Sequence, residues 1–313
     1  MATLTVNEIA QDTLEAFKCG LGPIINSWTT DLSSATAKYN ETITAHIRSV
    51  PSTAAYDAST GFANGAAEAE TLLTDVPVTL DVLRHVPIKV DWLTQLASRK
   101  NLYAEAVAEL GYALAKYVVD AALAKIIATS FSHKTTESTA NTSYDTLEAI
   151  RTACNDQKMN ALGRFGIVST AFAGALAIDN RVISNQFYGQ LNGAQGYRTW
   201  QNLAGFKNIW EYPDVPTTGN LTAFFGDRRA FVFAARKLDM NENLMPDLPP
   251  VDRTYPVTDP ETGLNLTAIA WKAQGTKDVY FTMAILCGLK AGSQTANDGS
   301  ICDDAGHWVR TAA

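Results

Sequence analysis

The 313-residue sequence predicts an α+β fold from three observations: an amphipathic helical segment at 101–129, a long apolar alternation at 76–92 before it, and a compact run of mixed helix and strand signals after it. In the first, Tyr103, Val107, Leu110, Leu114, Tyr117, Val118 and Ala121 recur at spacings of three and four, which sets them on one face of a helix. The opposite face carries few charges (Glu105, Glu109, Lys116, Lys125), and the many alanines raise helix propensity and let neighbours approach closely. Such a helix is a spine for packing. In the second, Val76, Val78, Leu80, Val82, Val86, Ile88, Val90 and Trp92 occupy the even positions, broken only by Arg84, and a period of two means extended strand. The run exceeds the usual strand of about 5–6 residues. It is therefore expected to reach out of the body as an arm that something outside the subunit covers.

The other elements follow in order. Residues 6–30 read as a short amphipathic helix with Asn7 as N-cap, Ile9, Leu14 and Phe17 as its apolar face, and Gly20 and Gly22-Pro23 ending it. Residues 43–50 alternate as a strand stopped by Pro51, and the small-residue stretch 52–69 reads as the flexible tip of a hairpin. Its second leg is the alternating strand from Val76 onward. The Ser/Thr-rich stretch 130–143 reads as a linker opening a second domain. There, a helix over 144–157 capped by Ser143, a strand over 164–169 and a helix over 172–179 are expected, then a Gly-marked loop excursion through Gly189, Gly193, Gly196 and Gly205. Strands follow at 207–211 and 221–226, with a segment at 227–236 that fits helix or strand. A proline-rich crossing, a turn at 258–263 and two hairpin-like strands at 264–274 and 278–290 complete the chain.

Composition narrows the function. The apolar share of 46% describes a folded protein, while a charged share of 18% lies below the roughly quarter usual for soluble domains, so partners are expected to cover part of the surface. A net charge of −7 with scattered basic residues argues against a dedicated nucleic-acid binder, though not against a container wall around nucleic acid. The N-terminus lacks a secretory pattern, and no apolar window is long enough to span a bilayer. Cys19, Cys154, Cys287 and Cys302 are isolated and read as free thiols, and the Asn-x-Ser/Thr sequons at Asn40, Asn141, Asn220 and Asn265 carry no meaning without a secretory route.

Motifs for chemistry are sparse. The glycines match no phosphate loop, and His46, His85, His133 and His307 lie far apart, outside any metal-ligand spacing. His46 and His85 fall in the two expected hairpin legs as cross-strand or interface histidines. Cys302, Asp303, Asp304 and His307 form the densest polar cluster, but at a chain end, where fraying works against a rigid site. Asp227, Arg228 and Arg229 read as a helix start with surface charge. Asp120, alone among apolar residues, needs a salt bridge or capping partner at a packed junction. No cofactor or metal is called for.

Asn7, Ile9 and Leu14 in the N-terminal segment, Ile47-Arg48 before Pro51, the segment VPVTLDVLRHVPIKVD, the helix LGYALAKYVVDAALAKI, Gly163-Arg164 through Val168-Ser169, and Leu203-Ala204-Gly205-Phe206 occur in an order that resembles the major capsid proteins of tailed bacteriophages. The resemblance spans nearly the whole chain and implies the Hong-Kong-97-type capsid fold: an N-arm at 1–40, an extended E-loop hairpin with adjoining strands at 41–92, a peripheral P-domain helix and linker at 93–143, an axial A-domain at 144–240, and return strands with a C-terminal tail at 241–313. It implies no enzyme and no cofactor, but self-assembly in the host cytoplasm into pentamers and hexamers of an icosahedral virion shell around double-stranded DNA, with no sequence-specific recognition and no membrane. Scaffolding, portal and decoration proteins are the other partners it implies. The residues expected at subunit contacts are Ile9, Leu14, Phe17, His46, Arg48, Arg84, His85 and Lys89. Covalent cross-linking, known in part of the family, is not established by Lys89 or the asparagines. Two alternatives stand beside this reading: an encapsulin-like compartment shell, disfavoured by the phage-like N-arm, and a soluble enzyme using Cys302 and His307.

Overall fold

The structure, a computed structural model, describes residues 6–48, 56–59, 61, 73–90, 102–126, 131–138, 142–179, 182, 199–216, 220–238, 253–272, 279–291, 294–295, 301–302 and 304–311. The chain opens with α1 (Val6–Gly20) and α2 (Gly22–Ile25), then β1 (Thr29–Ala37), β2 (Thr42–Arg48), β3 (Leu73–Thr79), β4 (Val82–Val90) and the long helix α3 (Leu102–Ile126). Next come β5 (Lys134–Thr136), α4 (Tyr144–Asp156), β6 (Phe165–Val168), α5 (Thr170–Ile178), β7 (Thr199–Leu203), β8 (Phe206–Glu211) and β9 (Leu221–Gly226). The last elements are β10 (Phe231–Leu238), β11 (Arg253–Thr258), β12 (Asn265–Lys272), β13 (Val279–Ala291), the short β14 (Gln294–Thr295) and β15 (Ile301–Cys302), and β16 (Gly306–Arg310). Mixed α+β architecture is as expected.

A first six-stranded sheet is organised around β13. Its partners are β12 and β10 in succession along one edge and β4 along the other, because residues 279–284 pair with both β12 and β4, and Leu286 and Cys287 with both β10 and β4. β1 joins β10 in parallel, and β11 closes the far edge. On β13, Phe281, Met283, Ile285, Cys287 and Leu289 all enter one buried cluster with α1, α2 and α3, the one-sided placement that period-two geometry gives. The same cluster takes in Phe165, Ile167 and Phe224 from the second sheet, so one core runs between the two sheets.

The second sheet has the order β5-β16-β9-β6-β8-β7. Val168, Ala223 and Phe225 face away from the shared core into a separate cluster with Leu147, Ile150 and Cys154 of α4 and Phe172, Ala173 and Leu176 of α5. The expected Ser143 cap stands, its N–H donating to Thr146 Oγ1 at 3.2 Å. Between α4 and β6, buried Arg164 donates to Met159 O at 2.6 Å, Asn160 O at 3.0 Å and Asn155 Oδ1 at 2.7 Å. That side chain satisfies two carbonyls of the loop that follows α4 and pins the loop to the helix through Asn155. At the β7–β8 turn, Ala204 and Gly205 both take positive φ (49° and 80°), as a two-residue hairpin of this twist requires.

Several expectations are corrected. The alternating run is not one arm: it breaks at Leu80-Asp81, so β3 pairs with β2 while β4 enters the first sheet against β13. The stretch 130–143 contains β5, a strand of polar, partly β-branched residues held by its parallel pairing with β16. The segment at 227–236, which fits helix or strand, is strand from Phe231 onward and pairs β13 in the first sheet. The proline-rich crossing holds β11, whose Pro256 is tolerated on an edge strand. The C-terminal segment is more than a tail after the return strands, because its β16 inserts between β5 and β9 in the second sheet. Asp227 starts no helix: it is buried in the β9–β10 turn, bonded to the Arg229 guanidinium and accepting from the Arg229 N–H at 2.7 Å and the Asn160 N–H at 3.2 Å.

Asp120 finds the partner its position demands. Tyr212 Oη donates to Asp120 Oδ1 at 2.6 Å, and Lys116 Nζ donates to Asp214 Oδ2 at 2.5 Å, which ties α3 to the loop after β8. The Asp214 hydrogen bond holds the Lys116 ammonium above its ordinary pKa.

Candidate assembly surfaces

Strands β2 and β3 form a separate two-stranded ribbon, in register from Thr42↔Thr79 to Arg48↔Leu73. Its inner side, Ala45, Ile47, Val76 and Val78, is buried with Ala37 and Leu80 against Val232, Ala234 and Leu286 of the first sheet. Its outer side is open, and there Thr42, Thr44, His46, Asp75, Pro77 and Thr79 are exposed. His46 Nδ1 lies 2.8 Å from Asp75 Oδ1 across the strands. Towards the tip, the N–H and hydroxyl of Ser59 donate to Asp57 Oδ1 at 2.8 and 2.7 Å, and the Gly61 N–H donates to Asp57 O at 2.7 Å. The stretch expected as a flexible tip thus includes a hydrogen-bonded turn; its other residues lie outside those described.

The residues expected at subunit contacts divide. Leu14 and Phe17 are buried in the main core, Phe17 completely, so the expectation that they meet a neighbour gives way to a role inside the subunit. The physical reason is the close seating of α1 on α3: a Cβ on Gly111 would lie 2.7 Å from the backbone of Thr13 and of Phe17. Helix α1 is already helical at Val6, so Asn7 is not its cap, and the side chains of Ile9 and Arg48 lie outside the described residues. His46 is on the ribbon as expected. His85 is not: it sits on β4 in the first sheet, its Nδ1 3.2 Å from Thr282 Oγ1. Arg84, the break in the alternation, places its guanidinium 4.4 Å from the Tyr117 ring centroid on α3. Lys89 lies 5.9 Å from the ring centroid of Tyr280, which stacks on Trp271.

The C-terminal polar cluster is a packing feature where it is described. His307 is buried in β16 between α4 and β5: Nδ1 faces Gln157 Oε1 at 3.2 Å and Nε2 faces Thr135 Oγ1 at 2.8 Å. The amide oxygen only accepts, so Nδ1 carries the proton and Nε2 accepts from the threonine hydroxyl. Burial, helped by nearby His133, lowers the His307 pKa to about 4. Cys154 and Cys287 are likewise buried, and burial pushes both thiols up to about 12, far from a reactive thiolate. The side chain of Cys302 lies outside the described residues, and among those described no group of three or more His, Cys, Asp or Glu is placed to hold a metal ion.

A pH dependence follows from His307. An ordinary histidine binds its proton near pH 6.5, whereas the folded chain resists until about 4, so between these values the unfolded state binds more protons and stability falls as pH falls. The span is worth at most about 3.5 kcal/mol at about 1.4 kcal/mol per unit. In denaturant melts, His307→Gln is expected to flatten the slope between pH 6.5 and 4; an unchanged slope assigns the acid sensitivity to other groups.

Some exposed features escape a reading of the sequence. Leu162 (83% exposed) and Ile178 (78% exposed) stand at the α4–β6 turn and the end of α5, and Tyr56, Tyr112 and Leu83 are also open. Leu162 inside Asn160-Ala161-Leu162-Gly163 and Ile178 just before Asp179-Asn180 are apolar residues in turn contexts, a signal the sequence does contain. The Trp271–Tyr280–Lys89 row requires β4 to pair with the β12–β13 pair, which is distant from it in sequence.

No protein-family model matches the chain, and no curated protein matches it. Solved structures do. The capsid structure of cyanophage P-SCSP1u is similar over 91% of this chain and 86% of its own, with a TM-score of 0.54 at 12% identity. The fold is that of a phage capsid protein. The capsid of Ralstonia phage GP4 matches over 91% of this chain and 87% of its own (TM-score 0.52, 10% identity), and a virus-like particle from Pyrococcus furiosus over 96% and 98% (TM-score 0.52, 10% identity). At these identities the fold is shared while most side chains are not. No described helix is long and apolar enough to cross a membrane.

Proposed function

We propose that this chain is a major capsid protein that assembles with copies of itself, as pentamers and hexamers, into an icosahedral phage head around double-stranded DNA. The capsid fold over about nine-tenths of the chain carries this reading. In its terms, the β2–β3 ribbon with residues 49–72 is the E-loop, α3 is the spine helix, the first sheet with α1 belongs to the P-domain, and the second sheet with α4 and α5 is the A-domain. The ribbon's open polar side, with His46 and Asp75, faces an adjacent copy, and many weak contacts of this kind add cooperatively around closed symmetry. Scaffolding, portal and decoration proteins join at other surfaces, and the shell forms in the host cytoplasm before becoming part of the virion.

A compartment shell without a viral genome is the second reading, favoured by the virus-like particle that matches over 98% of its length. Particle contents decide between them. Particles purified from the native source are expected to hold nuclease-protected double-stranded DNA; particles filled with a co-purifying protein and no DNA support the compartment. An enzyme centred on His307 is disfavoured because both ring nitrogens are engaged in the core.

A further inference from the structure

The crossing of β3 over β13 contains an unusually close approach. At Gly288 a side chain has no room: a Cβ there would collide with the Thr79 carbonyl oxygen and lie 3.0 Å from the Thr79 carbonyl carbon and 2.8 Å from Val78 Cγ1. Gly288 is not at positive φ, so glycine is needed for space and not for backbone freedom. Two residues on, Lys290 Nζ donates to Pro77 O at 3.1 Å. The contact lies at the ribbon's root, where Asn40 N–H donates to Leu80 O and Leu80 N–H to Glu41 O, and where the chain then turns through Asp81 into β4 beside Cys287. Around this point Val76 and Val78 bury against Val232, Ala234 and Leu286.

We propose that Gly288 and Lys290 form a seat that fixes the direction in which the β2–β3 ribbon leaves the body, making them positioning residues for assembly. The proposal rests on the capsid reading for its consequence, but its geometry belongs to the single subunit. The nearest obstructing atom at Gly288 is the Thr79 backbone carbonyl oxygen, which cannot swing aside as a side chain can, so an added methyl lifts β3 at its root. At about 3.3 Å per residue, Leu73 lies about 20 Å beyond Thr79, and a lift of about 1 Å close to the turn at Asp81 becomes about 3 Å or more at Leu73. A ribbon that reaches a neighbouring copy then arrives off its mark. Lys290 acts in the same sense by holding the Pro77 carbonyl down on the sheet.

The test labels the ribbon and the long helix in the unassembled subunit. With Cys19 and Cys302 replaced by serine, spin labels at the exposed positions Thr44→Cys and Ala124→Cys report the ribbon-to-helix distance, and particle yield is measured in parallel. Gly288→Ala is expected to shift or broaden that distance by about 2 Å, the displacement the same lever gives at Thr44 opposite Pro77, and to reduce particle yield, with a cooperative melt retained. Gly174→Ala, at a site with open space for a methyl, is expected to leave both readings unchanged. An unchanged distance distribution in Gly288→Ala overturns the seat. If that variant fails to fold, Lys290→Met, which leaves the crossing intact, decides: a broadened distance supports the seat and an unchanged one overturns it. A wild-type chain that forms no particles overturns the capsid reading, and the distance measurement still tests the seat.

Discussion

Phe17→Ala is expected to destabilise the subunit by about 3–5 kcal/mol, and Leu114→Ala by about 2–5 kcal/mol, the range for large-to-small changes in a close-packed core. Phe17 on α1 and Leu114 on α3 are both buried in the cluster that links the helices to the first sheet. The two helices approach so closely that Gly111 has no space for a methyl group against the α1 backbone, so the core cannot relax freely into the space left by the ring. Urea denaturation of the unassembled subunit measures both. A loss under about 1 kcal/mol for Phe17→Ala would return α1 to the role of a detachable arm and contradict its place in the core.

The second large effect concerns the ribbon. Arg48 and Leu73 are directly paired, so replacing residues 49–72 by Asn-Gly closes β2 and β3 with a two-residue turn in the observed register. The apolar root against Val232, Ala234 and Leu286 is untouched. The subunit is therefore expected to melt as the wild type does while particle yield drops at least about tenfold, since weakening the same junction in every copy compounds around a closed shell. Wild-type yield from the shortened chain would remove the ribbon from the assembly account.

These predictions rest on features of unequal legibility. The long helix is plain in the sequence because periodicity is local, but its buried face is wider than the expected stripe: Ala115, Val119, Ala122 and Leu123 are buried beside Leu110, Leu114 and Val118, since α1 and the first sheet contact it from different sides. The alternating segment reads correctly as extended and wrongly as one strand. Period two continues through Leu80 and Val82 while the chain changes partners, and a period says nothing about which strand lies alongside. Strand β16 is hidden for the opposite reason: it is short and terminal, and its order comes from β5 and β9, distant in sequence. Among the expected contact residues, Leu14 and Phe17 are legible as an apolar face, but whether such a face meets its own chain or another depends on tertiary packing. His85 and Arg84 go with β4 into the first sheet, and the Gly288 crossing emerges only once β3 lies over β13.

Electron microscopy of the purified chain tests the central claim most directly. Closed, uniform shells, built with pentameric and hexameric groupings resolved on their surface, are the predicted result. Discrete monomers or small oligomers at every concentration and salt tried, with scaffolding partners from the native source added, would contradict it.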